Sequence, residues 1–337
     1  MAFFRLSVLW LAILLSFGSP TTIIPRSETQ VIVSTTDEFQ RAVGDNVTIS
    51  FANDIDLSKT IQIDAVTGLI IEGNNFELNG QNKLSLMYIG GTSYIKIKNL
   101  IMIHGNTTLS TGGGAFYAED GIILLYKCQI IKCSAWGSYP FGGGIMSDFA
   151  SIYLYHSLVH KCQSDIGGGL STLFGSYYIY NSTIINNDGG FGGGLCLFLG
   201  GDDSELIIKN SYFSNNNAQA IGGSLYISSI QNTYIYNTIF INNTSYEDGG
   251  AIIMTDSNVK IHQCLFISNL AYQSGGAINA VSRDVLIEDS DSNSDSRSQK
   301  QNTIFQQLNN NNNNNEDTLR SPLSCFQYNV AMFDGGA

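Results

Sequence analysis

Apolar and polar positions repeat with a long period from residue 112 onward. One half of the repeat is a glycine pair followed by a small and then an apolar residue, at residues 142–145, 167–170, 192–195, 222–225, 249–252 and 275–278. The other half is an eight-residue block that aligns without gaps and ends at Cys133, Cys162, Asn187, Asn216, Asn243, Asn269 and Asn329. Successive block ends are 29, 25, 29, 27, 26 and 60 residues apart, so the array is regular except for one long interval.

The segment before each block alternates between polar and apolar residues, as in residues 151–156 and 232–237. A period of two is typical of half-buried strands. A repeat of 25 to 29 residues fits one coil of a three-sided solenoid of short strands, whose faces are buried only by stacking on neighbouring coils. The sequence therefore predicts an all-β, right-handed, single-stranded parallel β-helix of about ten coils.

Equivalent apolar residues of successive repeats are expected to form two inward columns. The first column contains Leu125, Leu154, Ile179, Ile208, Ile235 and Ile261. The second follows after a bend and contains Ile130, Val159, Ile184, Phe213, Phe240, Phe266 and Phe326.

The corners of the coil are expected at glycine and asparagine positions. Glycine pairs permit positive φ and close backbone approach at little cost. Asn181, Asn210 and Asn237 fall on one aligned bend, where left-handed backbone suits asparagine. Asn187, Asn216, Asn243 and Asn269 form a second column, in which each buried amide is expected to hydrogen-bond to its neighbours above and below.

The β-helix is expected to span residues 31–337. Residues 31–105 show short strands in a looser register, enough for about three coils, and residues 34–43 predict a short helix capped by Thr35 or Thr36 that covers the first coil. Residues 289–322 are low-complexity, with seven consecutive asparagines, and are expected to form a disordered insertion. The chain ends inside a glycine motif, which indicates a truncated product.

Residues 1–19 predict a secretory signal peptide. Arg5 is followed by an apolar stretch over residues 6–17 and then by small residues. The stretch is shorter than the roughly 20 residues that a spanning helix needs. An extracellular or cell-surface location without a membrane span is therefore expected, and sequons for N-glycosylation begin at Asn46, Asn106, Asn181, Asn242 and Asn243.

Composition narrows the range of partners. Charged residues make up 13% of the chain, and 28 acidic against 16 basic residues give a formal net charge of −12. A field of this sign repels phosphate backbones and anionic membranes, so nucleic acid is not expected as a partner. No pattern in the sequence indicates a cofactor.

The alternating GGA[IL] and FxxN half-motifs resemble the repeats of the chlamydial polymorphic outer-membrane proteins and of secreted proteins in the pectin-lyase-like superfamily. The resemblance covers residues 112–337 and is clearest at residues 249–252 and 266–269, whereas Cys133 and Cys162 depart from the asparagine position. It implies a pectin-lyase-like parallel β-helix and, from the bacterial relatives, a passenger-type role in adhesion.

One candidate binding surface stands out on the outward side of the alternating strands. It is a strip of tyrosines beside the first inward column, made of Tyr126, Tyr153, Tyr155, Tyr178, Tyr180, Tyr234 and Tyr236. Exposed rings in a row can stack on sugars or anchor a protein partner. The alternative interpretation is that β-propensity and stacking between neighbours explain the strip, and both stay open.

Catalytic and metal-binding residues are not predicted. Polysaccharide-degrading relatives need converging carboxylates, and the candidates Asp148, Asp165, Asp202 and Asp203 and the isolated His104 form no such group in sequence. Asp188, Asp248 and Asp334 precede glycine motifs at different offsets, and the six cysteines lack CxxC spacing. Cys133 and Cys162 are expected in one column on adjacent coils, where they form either a disulfide or two buried thiols.

Two functions follow as hypotheses. The first is a secreted or cell-surface, non-catalytic module for adhesion or for binding glycans or surface proteins. The second is a polysaccharide lyase or glycoside hydrolase on the same scaffold. Clustered carboxylates in a groove would favour the enzyme, and an open tyrosine strip would favour the binding module.

Overall fold

The computed structural model describes residues 29–108, 112–200, 203–281, 284–288 and 325–331. The predicted signal peptide, the insertion at residues 289–322, Asp202 and Asp334 lie outside these ranges. Within them nearly all regular structure is β-strand, and each strand pairs in parallel with the equivalent strand of the next coil. The predicted all-β parallel β-helix is confirmed.

Each complete coil visits four sheets, numbered I to IV in the order of the chain. Among the described residues, sheet I has 11 strands, which are β1 (Thr29–Val33), β2 (Val47–Phe51), β5 (Thr67–Glu72), β8 (Tyr94–Lys98), β12 (Ile122–Tyr126), β16 (Ser151–Tyr155), β20 (Ser176–Tyr180), β24 (Glu205–Lys209), β28 (Asn232–Tyr236), β32 (Asn258–His262) and β36 (Asp284–Glu288). Sheet II has 10 described strands, which are β3 (Ile55–Asp56), β6 (Glu77–Asn79), β9 (Ile101–Ile103), β13 (Gln129–Ile131), β17 (Leu158–His160), β21 (Thr183–Ile185), β25 (Tyr212–Ser214), β29 (Ile239–Ile241), β33 (Leu265–Ile267) and β37 (Cys325–Gln327).

The other two sheets complete the coil. Sheet III has 8 described strands, which are β10 (Asn106–Thr107), β14 (Ser134–Ala135), β18 (Gln163–Ile166), β22 (Asp188–Phe191), β26 (Asn217–Ile221), β30 (Thr244–Ser245), β34 (Leu270–Ala271) and β38 (Val330–Ala331). Sheet IV has 9 described strands, which are β4 (Ile61–Asp64), β7 (Met87–Gly90), β11 (Phe116–Glu119), β15 (Ile145–Asp148), β19 (Leu170–Leu173), β23 (Leu195–Phe198), β27 (Leu225–Ser228), β31 (Ile252–Thr255) and β35 (Ile278–Val281).

The strand counts of sheets I and II agree with about ten coils, but the prediction of three sides was incomplete. Sheet III is an additional side, hidden in the sequence because some of its strands are only two residues long. It begins only at β10, so the earlier coils have three sides. Counted by sheet III, the described chain has about eight four-sided coils.

The inward columns match the prediction. In sheet I, Leu154 pairs with Leu125 on one side and with Ile179 on the other, and all three side chains have no exposed area. In sheet II, the rings of Phe213 and Phe240 stack with centroids 5.1 Å apart. Phe326 pairs with Phe266 across the long interval, so the array resumes in register after the insertion.

The corner between sheets III and IV depends on its glycines. Gly192 has φ +61°, and a Cβ atom on Gly193 would collide with the carbonyl oxygen of Asn217 in the next coil. The first glycine of the pair is therefore required by its backbone conformation and the second by close approach between coils.

The predicted asparagine columns are present at the other corners. Asn181, Asn210 and Asn237 have φ values of 49°, 51° and 47°. In the second column the left-handed residue is the preceding one, such as Asn215. Asn216 is buried, and its Oδ1 accepts from the backbone N–H of Asn187 at 3.1 Å and from the Asn187 side chain at 3.0 Å. This ladder is structural, as the sequence indicated.

The predicted helix is α1 (Thr36–Ala42), with Thr35 as its N-cap. The Thr35 hydroxyl accepts from the backbone N–H of Glu38 at 3.2 Å, and the Glu38 carboxylate accepts from the Ser34 N–H at 2.8 Å. Phe39 is buried and packs edge-on against Phe51, with ring centroids 5.2 Å apart. Among the described residues no helix has the length and apolar character needed to cross a membrane.

Candidate binding surfaces

The tyrosine face lies on the outer side of sheet I and is defined by the seven predicted tyrosines. Strand register places Tyr153 directly between Leu124 and Tyr178, and Tyr155 between Tyr126 and Tyr180. Tyr234 and Tyr236 follow on β28, after the interruption by Ile207 and Lys209 on β24. The structure therefore brings the tyrosines together in two adjacent columns, as predicted.

The rings of the tyrosine face stack mainly on one another. Ring centroids are 4.2 Å apart for Tyr153 and Tyr178 and 5.0 Å apart for Tyr155 and Tyr180, with nearly parallel planes. Tyr153 is only 6% exposed. The expectation of open ring faces is therefore wrong for these four residues, because neighbours one coil apart cover them. What the stack presents outward is ring edges and hydroxyl groups.

Burial keeps these hydroxyl groups protonated. It raises the pKa of Tyr180 to about 12, with a further contribution from the charge of Glu205. Burial also raises the pKa of Tyr153 and Tyr155, and the nearby phenols add to that effect. The hydroxyl groups of Tyr153, Tyr155 and Tyr180 therefore remain hydrogen-bond donors at physiological pH.

Lysines accompany the tyrosines. The ammonium group of Lys209 lies 5.3 Å from the ring centroid of Tyr236, and that of Lys260 lies 5.6 Å from the ring of Tyr234. Contacts of this kind are cation–π interactions. Lys96 lies in the same column as Tyr153, on β8, and burial lowers its pKa.

Charge is divided between two halves of the coil. Sheets I and II with the corners that follow them, from residue 94 to residue 269, carry one acidic residue, Glu205, and seven lysines, which are Lys96, Lys98, Lys127, Lys132, Lys161, Lys209 and Lys260. The described parts of sheets III and IV with the corners that follow them, from residue 112 to residue 257, carry no lysine or arginine and nine acidic residues, which are Glu119, Asp120, Asp148, Asp165, Asp188, Asp203, Glu247, Asp248 and Asp256. Over these coils the rod has a basic half and an acidic half, whereas the adjoining strands of sheet I carry Glu72 on β5 and Asp284 and Glu288 on β36.

A second aromatic surface lies on the acidic half. We call it the phenylalanine face. It comprises outward residues of sheet IV, of the corner that follows it and of the last positions of two sheet III strands: Phe149, Ile166, Leu173, Phe174, Phe191, Phe198 and Leu199. Phe149 is 62% exposed, and its ring stacks on that of Phe174 with centroids 5.0 Å apart. Sequence reasoning missed this face, because its members fall between the aligned half-motifs and look like scattered apolar residues.

Three members of the phenylalanine face are in an unfavourable backbone conformation. Phe149, Phe174 and Leu199 occupy one corner column with φ values of 55°, 55° and 56°. The same column holds Asp120 one coil before them, and Ser229 and Asp256 after them. Left-handed backbone costs an L-residue with a bulky side chain roughly 1–2 kcal/mol, so these apolar residues are not there for the stability of the corner.

Two carboxylates meet at the edge of the phenylalanine face. Glu119 and Asp148 are direct register partners on β11 and β15. The Tyr88 hydroxyl donates to Glu119 Oε2 at 2.6 Å, and this bond raises the pKa of Tyr88 to about 12. Burial and the charge of Glu119 raise the pKa of Asp148, whose buried Oδ1 has no hydrogen-bond partner among the described residues.

The other candidates from the sequence are dispersed. Asp165 lies on sheet III, Asp203 follows β23, and His104 lies at the corner between sheets II and III. No group of three metal-ligating side chains occurs among the described residues. Cys133 and Cys162 are buried free thiols in one column, and burial raises the pKa of Cys133 above its usual range.

The predicted glycosylation sites differ in accessibility. Asn46, Asn181 and Asn242 are exposed, and Asn106 is half-buried. The prediction for Asn243 is wrong for the folded chain, because its side chain is fully buried and its Oδ1 accepts from Asn216. A glycan on Asn243 would break the asparagine ladder.

Known proteins show little similarity to this chain in sequence. No protein-family model matches the sequence, and no curated protein matches it. Among solved structures the chain is similar to a pectate lyase variant from Xanthomonas campestris, with 13% sequence identity and a TM-score of 0.32. That alignment covers 81% of this chain and 84% of the pectate lyase chain. The resemblance to the polymorphic outer-membrane proteins stays a prediction.

Proposed function

We propose that this chain is a non-catalytic binding protein that acts outside the cell or at its surface. Its ligand is an extended anionic glycan that lies along the tyrosine face of sheet I. The observation that carries the proposal is the segregation of charge. In a chain of net charge −12, the half that presents the aligned tyrosines carries seven lysines and one glutamate between residues 94 and 269.

The chemistry of the face suits such a ligand. Carboxylate or sulfate groups can pair with Lys209 and Lys260, which form no ion pair with a described residue. Sugar hydroxyls can accept from the phenol groups of Tyr155 and Tyr180. Because the groups recur at the coil spacing of about 4.8 Å, the face fits a chain-like ligand better than a compact one.

Titration of the secreted chain with fluorescent heparin and with a polyuronate tests the proposal. The expected result is saturable binding that weakens with salt, because the contacts to lysine are ionic. The double variant Lys209→Gln, Lys260→Gln should lose about tenfold in affinity. Tyr155→Phe with Tyr180→Phe should lose less, since the stack survives and only two hydroxyls are removed. Unchanged binding by both double variants would remove the tyrosine face from the proposal.

A matched control lies on the other half of the rod. Tyr246 is 54% exposed and stacks on Tyr272 with ring centroids 5.2 Å apart. Tyr246→Ala removes a stacked tyrosine away from sheet I, so glycan binding should stay at the wild-type level.

The second candidate function is a polysaccharide lyase or hydrolase, favoured by the Glu119 and Asp148 pair. Neighbouring carboxylates with one raised pKa are the arrangement of an acid and base pair. Release of reducing or unsaturated ends from a polyuronate, lost on Asp148→Asn, would establish this activity. Binding without release supports the non-catalytic module.

A further inference from the structure

We propose that copies of this chain associate side by side, with the phenylalanine face of sheet IV on one copy docked against the outer face of sheet II on the next. The proposal concerns surfaces other than the tyrosine face and does not depend on glycan binding. It rests on exposure, backbone strain and charge complementarity.

The phenylalanine face has the character of an interface. Phe149, Phe174 and Leu199 are 62%, 43% and 46% exposed. A soluble monomer rarely leaves a contiguous apolar patch of this kind uncovered. Since the left-handed backbone also disfavours these three residues, their presence in three successive coils indicates a contact that a monomer does not make.

The acidic residues around the phenylalanine face favour a partner surface that carries positive charge. Asp120 and Asp256 lie in the same corner column as Phe149, before and after the apolar run. Glu119 and Asp148 lie on the neighbouring outward column. With no lysine or arginine in the described parts of sheets III and IV between residues 112 and 257, an anionic membrane or a second acidic face would be repelled.

Sheet II of the same chain offers the matching chemistry. Its outward residues are mainly apolar, with Tyr212 37% and Ile239 36% exposed. The other outward apolar residues along the sheet are Ile131, Leu158, Ile185, Ile241 and Leu265, all half-buried. We call this set the isoleucine face.

The corners beside the isoleucine face are basic. Lys127 lies at the corner between sheets I and II, and Lys132 and Lys161 lie at the corner between sheets II and III. All three are exposed and form no ion pair with a described residue. They belong to the coils that contain Asp148, Phe149 and Phe174, so basic and acidic groups occur at the same height along the rod.

The proposed contact is heterologous, which means that it joins two different faces of the chain. The chain visits the sheets in the order I, II, III, IV, so sheets II and IV are not neighbours within a coil. A two-fold contact between two phenylalanine faces would oppose acid to acid, and one between two isoleucine faces would oppose lysine to lysine. Joining unlike faces leaves one of each free on every pair, which permits further growth unless a ring closes.

Sedimentation of the full secreted chain over a range of concentrations tests the association. The expected result is a mass that rises with concentration above that of one secreted chain, and a dissociation constant about tenfold larger in 500 mM than in 50 mM NaCl. A single monomeric species at all concentrations in low salt would overturn the proposal.

Two variants separate the faces. Phe149→Gly with Phe174→Gly disables the phenylalanine face while giving the corner a residue that accepts left-handed backbone. Lys132→Glu with Lys161→Glu disables the basic margin of the isoleucine face. Each variant alone should be monomeric, and their equimolar mixture should form a dimer that does not grow, because one intact face of each kind remains.

The controls are Ser229→Gly, in the same corner column beyond the apolar run, and Lys83→Glu, an exposed lysine outside sheets I and II. Both should associate as the wild type does. If the lysine variant alone still self-associates while the phenylalanine variant does not, the contact is between like faces and the proposed pairing is wrong. A mixture that stays monomeric would also overturn it.

Discussion

The tyrosine face and the phenylalanine face are both rows of aromatic residues on the same rod, yet they stand in opposite relation to its stability. Tyr153 and Tyr178 lie on extended strands and stack at 4.2 Å, with Tyr153 buried and Tyr178 half-buried. Phe149 and Phe174 stack at 5.0 Å but lie on left-handed corners and remain exposed. Alignment in successive coils is therefore compatible with a structural role or with a docking role, and backbone conformation and exposure distinguish them.

The sharpest test of this difference is Tyr153→Ala. Removing a buried ring from the middle of the stack should lower the free energy of unfolding by about 3 kcal/mol, measured by urea denaturation. Tyr246→Ala, which removes an exposed ring from another stack, should cost less than about 1 kcal/mol. Equal losses would show that burial does not separate the two kinds of stack.

On the phenylalanine face, a substitution is expected to raise the free energy of unfolding instead of lowering it. In a chain produced without N-glycosylation, since the change creates a sequon with Ser151, Phe149→Asn should raise the free energy of unfolding by about 0.5–1 kcal/mol, because asparagine adopts left-handed backbone more readily than phenylalanine. The converse variant, Asn210→Phe at the corner between sheets I and II, should lower it by a similar amount. Both are measured by thermal and urea unfolding at a protein concentration where the chain is monomeric. A loss of stability in Phe149→Asn would assign the phenylalanines to the core of the corner.

Alkaline titration gives a smaller effect on the tyrosine face. Burial raises the pKa of Tyr180 to about 12 in the folded chain, whereas a tyrosine in the unfolded chain ionises near pH 10. The neutral phenol therefore contributes stability that is present below about pH 10 and is lost as the pH rises through 12. Absorbance at 295 nm should show a fraction of tyrosines that ionise only with unfolding, and Tyr180→Phe should reduce that fraction.

The smallest effect is expected at the edge of the phenylalanine face. Burial and the charge of Glu119 raise the pKa of Asp148, so its charged form is penalised when the pH exceeds the unfolded-state value. Asp148→Asn should stabilise the chain by a few tenths of a kcal/mol at pH 7, because the group is partly solvent-screened, and by nothing at pH 3. A gain that persists at pH 3 would point to a cause other than charge.

The repeat pattern predicted the inward columns and the corners because period-two alternation and regular glycine spacing report burial and backbone conformation directly. Leu154, Phe240 and Asn216 stand where they were expected. The short strands of sheet III were missed, because a segment such as Thr244–Ser245 is too short to show a period.

The outward surfaces were harder to predict. The sequence placed Tyr155 and Tyr180 in one row but could not show that each ring covers the next. Phe149 and Phe174 were missed because a left-handed corner occupied by phenylalanine has no signature in composition or periodicity. Only the alignment of successive coils in the structure shows that this left-handed corner column also holds residues such as Asp120.

The asparagine ladder has a consequence for how the rod can change in length. Because Asn187, Asn216 and Asn243 are related by one full turn of chain each, excising residues 188–216 would place the segment after Asn216 directly behind Asn187 with its register intact. Ile184, which pairs with Phe213 in the intact chain, would then pair with Phe240, so apolar side chains would still be in contact. Duplication at the same junctions would lengthen the molecule by one coil. Insertions and deletions of whole coils can therefore change the length of the binding surface while the interior keeps its packing.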